Sequence, residues 1–228
     1  TLAVGSAWLA AEKFQRQTAL IDMDFHFGTC ALALDLLPGR GLREALEHPE
    51  RIDSLFIGSA MVNVGEKLFL LGGEEAVDQE LFASAYAVDQ LIDAIRGNFQ
   101  SMIVDLPRHM AVSQPALVGC AEEIVMVSDL SLPGLRDTIR LRDWLRDSGC
   151  SANLRIVLQE GPPRRAALDR KDFEKGIEAR IDHVLPHLDK AAATASAQGK
   201  PLPEVAGARS ALTRSMAAVA RHFVNLSE

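Results

Sequence analysis

Two short apolar runs in this sequence end in carboxylates. Residues 18–22 (TALID) are followed by Met23 and Asp24, and residues 101–105 (SMIVD) by Leu106-Pro107-Arg108. Read as buried strands of an open α/β sheet, both deliver their aspartates to the carboxyl edge, where such sheets bind ligands. Gly28 then lets the loop after Asp24 bend. Carboxylates so placed suit a hard cation, because Mg2+ keeps several waters and takes one or two carboxylates with phosphate oxygens. Phosphoryl transfer also needs a group that orients the attacking water. On this reading Asp105 holds the metal through water, and Asp22 or Asp24 orients water or completes the metal's outer shell. The plainer alternative is a strand followed by an acidic turn or helix cap.

For those carboxylates to meet, strands and helices must alternate along the chain. Residues 2–15 read as a buried helix, 18–22 as the first strand and 30–37 (CALALDLL) as a short helix stopped by Pro38-Gly39. Leu42, Ala45 and Leu46 mark one face of a helix over 41–49, and a surface stretch runs on to Glu66. Residues 67–71 (KLFLL) form a strand closed by Gly72-Gly73. Asp78 caps an amphipathic helix that carries Leu81, Phe82, Ala85, Val88, Leu91, Ile92 and Ile95 on one side and stops at Gly97. After 101–105 come a helix over 111–120, a strand over 122–127 leading to Asp129, and a helix over 133–147. A strand over 154–158 leads to Gln159, a short helix covers 172–176, and the last strand, 181–185, ends at Pro186. Helices over 190–197 and about 208–224 close the chain, the latter with Leu212, Met216, Val219 and Phe223 at helical spacing. Strands separated by helix-length segments mean βαβ units: one α/β domain over 1–228, with a mostly parallel sheet and helices on both faces. Right-handed crossovers put every strand's carboxyl end on one rim. Asp22, Asp24, Asp105, Asp129 and Gln159 then gather there.

Composition narrows the class. A net charge of −7 and a pI near 5.4 argue against chain-wide affinity for nucleic acid. Cys30, Cys120 and Cys150 lie far apart without metal-ligand spacing, the usage of a cytoplasmic protein with reduced thiols. No run has the length of a membrane span, and no signal peptide opens the chain. Arg209, Arg214 and Arg221 lie opposite the apolar stripe of the final helix, so that stripe either packs on the sheet or rests on a membrane surface. Membrane association is at most peripheral.

The runs TLAVGSAWLAA, ALIDMDFHFGT, MIVDLPR, EIVMVSDLSLPGLRDTIRL and VLPHLDKAAATASAQGKPL, in that order, resemble the MinD/ParA superfamily of deviant-Walker P-loop ATPases over essentially all 228 residues. DMDFHFGT followed by ALALDL, then DLPR, then LDRKDFEKGI, resemble its CpaE/TadZ branch, the pilus-assembly proteins of Flp/Tad (type IVb) systems. The resemblance implies ATP and Mg2+ as cofactors, with Asp105 as the Walker-B-type carboxylate. It implies a homodimer that sandwiches nucleotide across the carboxyl rim. It further implies a role with pilus secretion machinery, in the cytoplasm, at the pole and peripheral to the inner membrane.

The chain also departs from that pattern. No KGGxGK[ST] phosphate loop occurs within residues 1–228, and Thr1 aligns just after that loop's metal-binding hydroxyl residue. The resemblance therefore implies a domain truncated ahead of Thr1, with poor ATP binding by these residues and an open strand position beside the Asp105 strand. Where family members hold adenine with Asn-Arg or Asn-Lys, this chain has Gln159-Glu160. Pro186, His187 and Leu188 correspond to a second base-contacting segment, with Asp189 at its end. His26 lies on the switch loop, and Arg108 is either a switch contact or a surface arginine. Two alternatives stand beside the pilus reading. One is a nucleotide-free scaffold of the same fold; the other is a partition or division-site ATPase, against which the acidic charge and DLPR weigh.

Overall fold

The computed structural model describes residues 1–79, 81–161 and 168–224. Its elements, in order, are α1 (Leu2–Glu12), β1 (Thr18–Asp22), α2 (Gly41–Glu47), α3 (Ser54–Ala60), β2 (Val62–Asn63), β3 (Leu68–Leu71), α4 (Ala85–Asn98) and β4 (Ser101–Asp105). They continue with α5 (Arg108–Ser113), α6 (Ala116–Gly119), β5 (Glu123–Ser128), α7 (Leu132–Asp147), β6 (Asn153–Gln159), α8 (Arg170–Gly176), β7 (His183–Leu185), α9 (Asp189–Gln198), α10 (Leu202–Ala206) and α11 (Ala211–Phe223).

All five residues of β1 are buried, as expected of a parallel strand covered on both faces. Leu20 faces the cluster of Val4, Ala7, Ala11, Leu70 and Ile103, whereas Ala19 and Ile21 face Leu42, Leu91 and Ile95. The same five residues thus bind α1 to one side of the sheet and α2 and α4 to the other. Leu212, Met216, Val219 and Ala220 of α11 are buried in a cluster with Leu9, Val157 and Leu185. The apolar stripe of the final helix is therefore packed inside the protein. No described helix is long and apolar enough to cross a membrane.

The strands form two sheets, of order β2-β3-β1-β4 and β5-β6-β7, parallel except for the β2–β3 pair. Among the described residues β4 pairs only with β1, and β5 only with β6. The division falls beside the Asp105 strand. Contacts outside the sheets tie the halves together. α11 packs on both β7 and β4, and the Ser101 hydroxyl donates to the Phe223 carbonyl at 2.9 Å.

Several boundaries differ from the sequence reading, each for a local reason. Helix α4 starts at Ala85, capped by Ser84, whose hydroxyl accepts from the Ala87 N–H; Asp78 lies in a turn ahead of it. Leu81 is buried ahead of the helix, while Phe82 is 71% exposed. The stretch read as surface contains α3, capped by Asp53 through the Phe56 N–H, and the antiparallel β2. Residues 30–37 hold only a 3-10 turn, Leu32–Leu34, ended by Asp35 in the left-handed region at φ 53°. The 111–120 helix divides at Pro115, whose ring restricts Gln114 and supplies no N–H. The 208–224 helix begins only at Ala211, after the Ser210 cap, and α10 precedes it as a separate element.

Candidate functional site

Asp22 and Asp105 are direct register partners at the carboxyl ends of adjacent parallel strands. The loop after β1 then folds back over Asp22. Its Oδ1 accepts from the Asp24 N–H at 3.1 Å, and its Oδ2 from the Cys30 N–H at 3.0 Å. The Asp24 side chain accepts from the Phe27 N–H at 3.1 Å, and its carbonyl accepts from the Gly28 N–H at 2.9 Å. Gly28 is required by space: a Cβ there would lie 2.6 Å from both Asp22 Oδ2 and the Asp24 carbonyl oxygen. The loop is also held from outside. The Phe25 carbonyl accepts from the Glu75 N–H, and Arg43 pairs with Glu75.

The electrostatics are those of two acidic groups held close together. Asp22 is 4% exposed. Burial pushes its carboxyl above the usual range, the negative charge of Asp105 adds to this, and the two backbone N–H donors oppose it. Among the described residues neither Asp22 nor Asp105 forms an ion pair. Cys30 Sγ donates to Asp105 Oδ2 at 3.4 Å, and burial, helped by both carboxylates, drives the thiol far above its ordinary value. A cavity of about 250 Å³, lined by Asp22, Gly28, Leu32, Pro38, Gly72 and Glu74 among others, opens beside this cluster. Two adjacent acidic groups, of which the buried Asp22 borders the cavity, fit a divalent cation.

The other expected residues fall in a second group. Gln159 ends β6 and is the register partner of Leu185, so it lies beside Pro186, His187 and Leu188 just past β7. The Gln159 amide donates to the Glu160 carbonyl at 3.1 Å, and His187 pairs with Asp189. Thr1 is exposed at the start of α1. Its carbonyl accepts from Gly5 N–H, and its side chain makes no capping bond. Asp129 shapes the start of α7: its Oδ1 accepts from the Ser131 N–H and hydroxyl, and Ser131 caps Gly134. His26 Nε2 contacts the Gln79 carbonyl at 2.8 Å, and Arg108 pairs with Asp137. The structure thus joins Asp22 to Asp105 and Gln159 to 186–188, on different sheets. Cys30 is the member of the first group that residue types did not disclose, since a lone cysteine in an apolar run reads as core.

No protein-family model matches the sequence, and no curated protein matches it significantly. Solved structures do match. A ParA family ATPase from Chlorobium tepidum superposes with a TM-score of 0.86 at 18% identity, over 97% of this chain and 91% of that one. The MinD cell division protein of Aquifex aeolicus gives 0.78 at 19% identity, over 100% and 91%. MinD from Pyrococcus horikoshii, complexed with Mg-ADP, gives 0.76 at 14% identity, over 97% and 88%. The chain therefore has the α/β fold of ParA and MinD ATPases.

Proposed function

We propose that the Asp22–Asp105 edge is the metal-and-water side of a Mg-nucleotide site, and that the protein is a nucleotide-coupled switch of the ParA/MinD kind. The observation that carries this is the register pairing of two carboxylates at the strand ends under a glycine-bent loop. Asp105 would hold Mg2+ through water. Asp22, fixed by two backbone N–H donors, orients water or completes the outer shell. The fold match to a MinD structure containing Mg-ADP supports the choice of ligand.

A metal held there would supply charge neutralisation for the phosphate groups. Gln159 offers an amide to a base at the far side of the rim, beside 186–188. Nucleotide then drives dimerisation only through a higher affinity for the dimer than for the monomer. Within this class the DMDFHFGT, DLPR and LDRKDFEKGI segments favour the CpaE/TadZ role, localising and assembling a Flp/Tad pilus machine. Gln159-Glu160, where the family pattern has Asn-Arg or Asn-Lys, favours the second reading, a scaffold that uses the fold for protein contacts alone.

The test is ATP hydrolysis and sedimentation of the intact protein. Mg-dependent turnover that Asp105→Ala abolishes, with a nucleotide-dependent dimer, supports the switch. Turnover unchanged in Asp105→Ala removes that residue from the mechanism, and no nucleotide binding at all leaves the scaffold.

A further inference from the structure

The Cys30 thiol has no part in the site as read above, yet it sits where the two carboxylates converge. One donor atom from each of Asp22, Cys30 and Asp105 lies within 4.8 Å of the other two. Asp22 is 4% and Cys30 0% exposed, so these are fixed interior groups rather than a solvated acidic surface. A buried carboxyl held against a second, half-buried acidic group is costly to ionise, and the neighbouring cavity gives an ion a way to reach Asp22.

The donor set then decides which ion. Mg2+ takes oxygen ligands, whereas a thiolate selects zinc and softer ions. Bonds of about 2.0–2.3 Å in a tetrahedral site put donors about 3.5 Å apart. The widest pair here must therefore close by at most about 1.3 Å.

We propose that Asp22, Cys30 and Asp105 form a three-ligand site for a thiophilic divalent ion, with water in the fourth position. As the sulfur–metal bond forms, the Cys30 S–H bond breaks and its proton leaves to solvent. The site shares its carboxylates with the magnesium position proposed above and excludes Mg2+ when filled. It does not depend on nucleotide.

The test is a titration of the intact protein with Cd2+ in the absence of nucleotide, followed by the ultraviolet thiolate-to-metal charge-transfer band. We expect a band that saturates at one equivalent, vanishes in Cys30→Ser and persists in a Cys120→Ser/Cys150→Ser double variant. No band in the parent protein, or one that survives Cys30→Ser, overturns the proposal. Should Cys30→Ser not fold, Asp105→Asn retains the thiol and is expected to bind Cd2+ at least ~10-fold more weakly; unchanged affinity overturns the assignment. Failure of this titration leaves the nucleotide reading standing, and failure of nucleotide binding leaves this site standing.

Discussion

Gly28→Ala probes how tightly the loop closes on Asp22. The added Cβ would meet Asp22 Oδ2 and the Asp24 carbonyl oxygen at 2.6 Å and Asp22 Cγ at 2.8 Å. Ordinary contacts begin near 3.4 Å, so the loop must retreat by most of an ångström. It cannot do so freely, because the Asp24 and Cys30 N–H groups are both bound to Asp22. Overpacking of this kind costs about 1–3 kcal/mol. The lower chain entropy of alanine in the unfolded state returns about 0.4–1 kcal/mol. A net loss of about 1–2 kcal/mol follows, a factor of roughly 5–30 in the folded-to-unfolded ratio. For a chain of this size that is a fall in Tm of about 2–8 °C. Urea denaturation gives the free energy directly, and calorimetry gives the Tm. Metal affinity should drop as well, since the retreat displaces Asp22. A Gly28→Ala protein with parental stability would refute the claim that this glycine is needed for the close approach.

Further predictions concern caps, helix interior and pH. Ser84→Ala should lower stability by about 1 kcal/mol in urea denaturation, because it orphans the Ala87 N–H, and Asp78→Ala should be neutral; the reverse ranking would restore the longer helix. Gly97→Ala should stabilise by up to about 0.5–1 kcal/mol, since Gly97 lies within α4 and an added Cβ meets nothing within 4 Å; a loss would show a hidden contact. Asp22 binds its proton more tightly folded than unfolded. The folded state therefore carries more protons above the ordinary value of 3.8, and stability falls as pH rises until the folded carboxyl has ionised. Urea midpoints measured from about pH 4 to about pH 7 should show a flatter dependence in Asp22→Asn than in the parent, and equal slopes would contradict this.

How far the sequence carried is clearest at particular residues. TALID and SMIVD were legible as strands because both are apolar, short and bounded by polar residues, and pairing them in parallel register puts Asp22 opposite Asp105. The fold class followed from the same alternation. The start of α4 was not legible, because Leu81 has the helical spacing and is buried, yet the Ser84 cap sets the boundary downstream of it. α3 was missed because its seven residues bury only Ile57. In the site, Cys30 was invisible for a different reason. Its role comes from a loop that returns its backbone N–H to Asp22 Oδ2, eight residues back, and places its sulfur against Asp105. No periodicity records such a return.

The most direct measurement is the contribution of Mg2+ to nucleotide affinity, by titration calorimetry with ADP on the intact protein. If the Asp22–Asp105 edge is the metal side of the site, adding Mg2+ tightens ADP binding, and Asp105→Asn erases that gain while leaving metal-free binding in place. An equal Mg2+ gain in the parent and in Asp105→Asn would contradict the assignment of this edge.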